Sequence, residues 1–367
     1  METTQASIGL FTLIKPQLKA GIFAISRAGN TYVGKSDHGI EFEGTEVRRI
    51  LLALTGLRTC EEIAAELECD LATITDLVSE LEAIHFLDTQ KTPIALSNRH
   101  SSRSSQVFTD ENLDATYQQI KSKIRPELAL TTWNSQVSDG GVGLVSARQA
   151  QTINIYGSTR VAMMLYEILL SSGLSQTSLI IPDEHRAIAD TDTCVGFLHS
   201  YDVGGSLQNR ICEVRPDLSL FPLNPSSDNK SKAIAICVGP PQPELLQEWM
   251  SECIPHIFIE DPECASITIG PFVIPGVTPC WRCTVLTQDD EHLAWTEVQW
   301  QRRITPPAET PVSVSYYIAG LIALEILRFI DTGQSDFLGS TLRIDYRKAI
   351  NTARRTFSPH PACGCHW

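Results

Sequence analysis

"NIYGSTRV", residues 154–161, closes an apolar run and opens a stretch with helical periodicity. A strand, one glycine, a short turn and a helix is how a nucleotide-binding βαβ unit begins. The glycine pattern is incomplete. Gly157 is in place for the turn, but Thr159 stands where a second glycine would let backbone approach phosphate, and Ala162 where a third would allow close helix packing.

Strands and helices alternate outward from this point. The apolar runs predict strands at 152–156, 177–181, 233–238, 256–260, 266–274 and 340–346, and helices near 159–172, 204–214, 243–252 and 312–331. This is a Rossmann-type α/β sheet with a parallel half. The segment 312–330 is almost long enough to span a bilayer, but it carries Glu325 and Arg328 and no flanking anchors, which predicts a buried amphipathic helix.

The first 90 residues read differently. Strands are predicted over "LKAGIFAIS" (18–26), "TYVGK" (31–35) and "HGIEFEG" (38–44), followed by three helices capped by Thr45, Thr59 and Asp70. Thr59 with Glu62 has the spacing of a capping box. Three strands and three helices make a small winged-helix-like domain. A Ser-rich linker and a connecting helix follow over 91–125, and the α/β domain takes 126–367.

Charge narrows the function classes. The 367 residues carry 29 Lys and Arg against 43 Asp and Glu, a formal net charge of −14, which disfavours nucleic acid and anionic membranes as partners. The third helix of the small domain would enter a DNA groove, yet it carries Asp70, Asp76, Glu80 and Glu82 and no basic residue. A strand with a free edge beside an amphipathic helix suits β-strand addition of a peptide instead. A purely structural cap is the alternative.

Eleven cysteines and no export signal predict reduced thiols and a cytoplasmic protein. Seven (Cys60, Cys69, Cys194, Cys212, Cys237, Cys253 and Cys264) are scattered within periodic segments. The other four form two chelating pairs, Cys280 with Cys283 in "TPCWRC" and Cys363 with Cys365 in "PACGCHW". Two such pairs complete a tetrahedral thiolate site suited to structural zinc, with no open position for catalysis. Four unrelated thiols are the main alternative, and His360, His366 or a redox pair are lesser ones.

"GPFVIPGVTPCWRC" (270–283), "DDEHLAW" (289–295) and "HPACGC" (360–365) resemble the ThiF-like (ocin-ThiF-like) proteins of ribosomal peptide antibiotic clusters, among them thiazole/oxazole-modified microcins and thiopeptides. Residues 1–90 are similar to the PqqD-like recognition element fused to many of them, and "PELALTTW" (126–133) fits as well. The resemblance implies a leader-peptide-binding partner of a YcaO-family cyclodehydratase, which spends ATP to turn Cys, Ser or Thr into azolines. The leader would add a strand to His38–Gly44 against Leu71–Ile84, contacting Ile40, Glu41, Phe42, Glu43, Ile74, Leu77, Val78 and Leu81. Homodimerisation through the α/β domain is common in such proteins.

The wider superfamily includes adenylating enzymes, so an ATP-dependent amide-activating enzyme of the microcin or pantocin type is the alternative reading. Against it, Asp183 is the one acid kept after the second strand of the α/β domain. Thr193 and Cys194 stand where the resemblance implies an Asn and an Arg. Ser206, Leu207 and Gln208 occupy the place of a phosphate-contacting Lys, and Val238, Gly239 and Pro240 that of a metal-binding Asp. Binding of ATP is not expected. "QRR" (301–303) reads as solvated surface and "DDEHL" (289–293) as an exposed turn.

Overall fold

The computed structural model describes residues 14–36, 38–90, 92, 94, 119–120, 122–131, 137–221, 233–263, 265–292, 295–304, 309–347 and 351–365. Most of the predicted linker and the start of the connecting helix lie outside the described residues, and residues 122–127 are helical. The chain divides into two compact units, residues 1–95 with 107–146, and 96–106 with 147–367.

The stretch 126–146, expected in the second domain, therefore packs with the first. Its backbone supplies the reason: Ser138 O accepts hydrogen bonds from the amides of Thr89 and Gln90 at 2.8 and 2.9 Å. Val137 O accepts one from Lys19 Nζ at 3.0 Å. Lys19 is buried, which lowers its pKa despite the opposing charge of Asp88.

In the first unit, β1 (Gln17–Leu18) pairs with β5 (Leu87–Asp88). A separate antiparallel sheet runs β2 (Phe23–Arg27), β3 (Asn30–Lys35), β4 (His38–Glu43) in that order. The single strand expected over 18–26 is thus broken, because Lys19 turns inward and Gly21, at φ 86°, makes the bend. Helices α1 (Glu46–Ala53), α2 (Cys60–Leu67) and α3 (Leu71–Ala83) cover the sheet.

Their apolar faces meet Val33, Leu51, Ile63, Phe86 and Leu87 in one core. The Thr59–Glu62 capping box forms as expected, satisfying two orphan amides of α2. The other two predicted caps do not bond. Thr45 has already adopted helical backbone angles, and Asp70 makes no side-chain cap.

The second unit is a seven-stranded mixed sheet of order β12-β11-β10-β9-β8-β6-β7. β6 (Thr152–Tyr156), β7 (Gln176–Ile180), β8 (Ile234–Val238) and β9 (His256–Ile259) are parallel. β10 (Ser266–Val273), β11 (Ser340–Asp345) and β12 (Asn351–Thr356) continue antiparallel. All five residues of β8 are buried, as a sheet covered on both faces requires.

Ile234, Ile236 and Val238 join the larger core with α4 (Arg160–Ser171) and α9 (Val312–Thr332). Ala235 and Cys237 face the opposite way, toward Trp249 of α6 (Pro243–Ser251) and Cys280 and Cys283. Helix α9 is the one described helix long and apolar enough to cross a membrane. Its Ile318, Ala319, Ile322, Ala323, Ile326 and Leu327 are buried in the larger core. α5 (Leu207–Leu218) lies near its predicted place, whereas β12 and the helices α7 (Trp281–Glu291) and α8 (Trp295–Ile304) have no counterpart in the sequence reading.

Candidate functional site

Three arrangements carry chemistry. The first is the cysteine cluster. Cys280 and Cys283 sit at the N-terminus of α7, where one helical turn brings both sulfurs to the same side. The chain's last described turn returns Cys363 and Cys365 to them. The four Sγ atoms lie within 4.8 Å of one another, with Cys280–Cys363 at 3.4 Å, Cys283–Cys365 at 3.3 Å and Cys280–Cys283 at 3.8 Å.

Tetrahedral zinc with bonds of about 2.3 Å sets its sulfurs about 3.8 Å apart, so the set fits that ion. The His360 amide donates to Cys283 Sγ at 3.3 Å, and the His360 ring meets Asp290 Oδ2 at 2.9 Å. Burial raises the Cys280 thiol above its ordinary value. At Cys283 burial acts in the same direction, but hydrogen bonds from the His360 amide and Cys365 bring the thiol below it.

The second arrangement lies at the carboxyl ends of the parallel strands, where β6 is flanked by β7 on one side and β8 on the other. Such a switch point is where open α/β sheets bind ligands. Gly157, at φ 143°, donates its amide to Ile180 O at 3.0 Å, and a Cβ there would stand 2.8 Å from Val238 O. The turn therefore requires glycine irrespective of any ligand.

Thr159 is the N-cap of α4, but its hydroxyl makes no cap and is enclosed without a hydrogen-bond partner among the described residues. The crevice, about 290 Å³, is lined by Tyr156, Ile180, Ile181, Cys237, Val238 and Gln242 among others, with no charged side chain among the described lining residues. Cys237 is pushed up to about 12 by burial, which keeps it a neutral thiol.

Nearby cations are already engaged. Arg160 binds Thr310 O at 3.0 Å and Glu309 Oε2 at 2.6 Å, Arg186 binds Asp192 at 3.0 Å, and Arg210 lies 3.4 Å from Asp202. Asp183 is exposed and accepts from the His185 amide. Ser206 caps α5 and Leu207 is fully buried, so neither replaces a phosphate-binding lysine.

Sequence reasoning missed the neighbouring group just past the end of β9. Arg302, read as solvated surface, pairs with Glu260 at 3.0 Å and donates to Asp261 O at 2.7 Å. Burial raises both carboxyls, and the guanidinium opposes the shift. The polar sequence of α8 hides this contact. "DDEHL" is likewise corrected: 289–291 end α7, where Asp290 meets His360 and Glu291 meets Arg355.

The third arrangement is the open edge of β4, which hydrogen-bonds to β3 on one side and, among the described residues, to no strand on the other. Here the expected peptide contacts separate. Ile74, Val78 and Leu81 are wholly buried and Leu77 nearly so, in the core of the unit itself, and they present no surface to a peptide. Ile40 and Phe42 are half-buried and pack on the same core, whereas Glu41 and Glu43 are exposed.

Neither a family model nor a curated protein matches the chain. Solved structures do. A structure of E. coli MccB with AMPCPP and the peptide MccA superposes with a TM-score of 0.59 at 13% identity, covering 95% of this chain and 98% of that one. The microcin C7 biosynthetic enzyme MccB with N-formylated MccA matches equally, with 99% of its chain covered. The heterocyclase TruD gives a TM-score of 0.57 at 15% identity, over 96% of this chain and 43% of its own. At these identities the likeness shows the fold.

Proposed function

We propose that the protein binds the leader segment of a ribosomally made precursor peptide along β4 and presents the rest to a separate YcaO-family, ATP-dependent cyclodehydratase for azoline formation. The observation that carries this reading is the strand-end crevice, which keeps the turn of a nucleotide site but has no charged side chain among its described lining residues. The fold shared with a peptide-complexed microcin enzyme and a heterocyclase supports a peptide substrate. The open β4 edge supplies a place for it.

On this reading Cys280, Cys283, Cys363 and Cys365 hold one zinc ion. It neutralises the thiolates and fixes the C-terminal segment to α7; four sulfurs leave it no position for a substrate. Reconstitution tests the function. Precursor and cyclodehydratase are combined with and without the protein, and loss of water from the precursor is followed by mass spectrometry. Dehydration that depends on the protein supports the proposal, and equal dehydration without it defeats it.

The second reading, an ATP-dependent amide-activating enzyme, is favoured by the superposition on MccB solved with ATP. ATP–pyrophosphate exchange by the protein with precursor alone would establish it.

A further inference from the structure

The two faces of β4 meet different surroundings. Ile40 and Phe42 stand opposite Val33 and Thr31, both fully buried, and face the core. Glu41 and Glu43 stand opposite Tyr32 and Asn30 on the outer face. Neither carboxylate has a cationic partner among the described residues. Arg27, opposite Asn30, is two strands from Glu43 and makes no ion pair with it. The ring of Tyr32 lies across Gly39, where any side chain would collide with it.

A strand added beside β4 continues this alternation, since its outward side chains fall next to Glu41 and Glu43 and its inward ones next to Ile40 and Phe42. We infer that the peptide accepted at this edge alternates apolar and basic residues, with Lys or Arg at two positions spaced i, i+2 beside Glu41 and Glu43. The inference rests on the peptide-binding reading of β4 and adds the chemistry of the partner. Opposite charges across a strand pair attract and like charges repel, so an acidic segment of the same apolar pattern is disfavoured.

Short labelled peptides alternating Val with Lys, or Val with Glu, test this when titrated into the full chain while amide exchange of residues 38–43 is followed. The Val/Lys peptide is expected to bind about tenfold more tightly, to slow exchange along β4 and to weaken as salt rises. Glu41→Gln with Glu43→Gln should erase the preference, and Glu41→Lys with Glu43→Lys should reverse it. Both residues are exposed, and an unchanged melting temperature confirms that each variant folds. Equal affinity of the two peptides, with β4 protected by both, overturns the charge inference and leaves strand addition standing. Protection of β4 by neither overturns both.

Discussion

Arg148 and Asp331, 183 positions apart, meet face to face: Nε donates to Oδ1 at 3.2 Å and Nη2 to Oδ2 at 2.6 Å. Arg148 is fully buried, and its Nη1 also donates to Ser172 O at 3.0 Å. The pair ties the residue just ahead of β6 to the end of α9.

A buried pair of this kind is costly to break from one side, because the remaining charge stays in the core. Asp331→Asn should lower unfolding stability by about 3–5 kcal/mol, whereas Arg148→Met with Asp331→Leu should recover most of that loss. Urea unfolding of the single and double variants decides it. A double variant as unstable as the single one would show that the geometry, and not the uncompensated charge, sets the cost.

Acid should destabilise the second unit through His256. Its ring is fully buried, Nδ1 lies 2.8 Å from Ile254 O, and Nε2 has no partner among the described residues. Burial drops its pKa from 6.5 to about 4, the backbone contact opposing. The unfolded chain therefore takes up the proton first, so stability is intact above pH 6.5 and falls as pH descends toward 4. By pH 5 the loss is about 2 kcal/mol. His256→Phe should remove this component from the pH dependence of the urea midpoint; an unchanged slope in the variant would assign it elsewhere.

One zinc ion per chain is the expected result of metal analysis. Cys283→Ser should abolish stoichiometric binding, and a strong chelator should lower the melting temperature of the wild-type chain by on the order of 10 °C. Absence of any shift on chelation would mean that the four thiols hold the fold without metal.

Magnesium–ATP should leave the melting temperature unmoved. A ligand present at a hundred times its dissociation constant stabilises by about 2.7 kcal/mol, a shift easily seen in a chain of this size. Gly157→Ala should nonetheless destabilise, by about 1–3 kcal/mol, since the positive φ and the nearby Val238 O exclude a side chain. Loss of stability without any nucleotide effect separates the turn's architectural role from a phosphate-binding one.

β8 and β9 were legible because they are short apolar runs buried on both faces, β6 and β7 because buried residues alternate with more exposed ones, and α9 because its apolar stripe is long. The Thr59–Glu62 box was legible because its bonds are local. What escaped has a common physical cause. α7 buries little besides Cys283 and Thr284, so it has no stripe to read, and its placement comes from the cysteine pairs. β12, "NTARRT", has no apolar alternation and is held by its backbone ladder to β11. The misassigned wall of α3 has another origin: Ile74, Val78 and Leu81 form one apolar stripe, and a stripe does not say whether it meets the domain's own core or a visitor. The cysteine spacing identified the cluster because one helical turn and one tight turn leave the sulfurs little choice.

An unpaired strand edge is also a hazard, since its free amides and carbonyls will accept any extended chain, including an identical one. Two copies of β4 brought together antiparallel would set carboxylates against carboxylates along the seam. The row of Glu41 and Glu43 thus gives the chain a built-in refusal of its own kind, keeping the edge open in a crowded cell for a visitor of opposite sign.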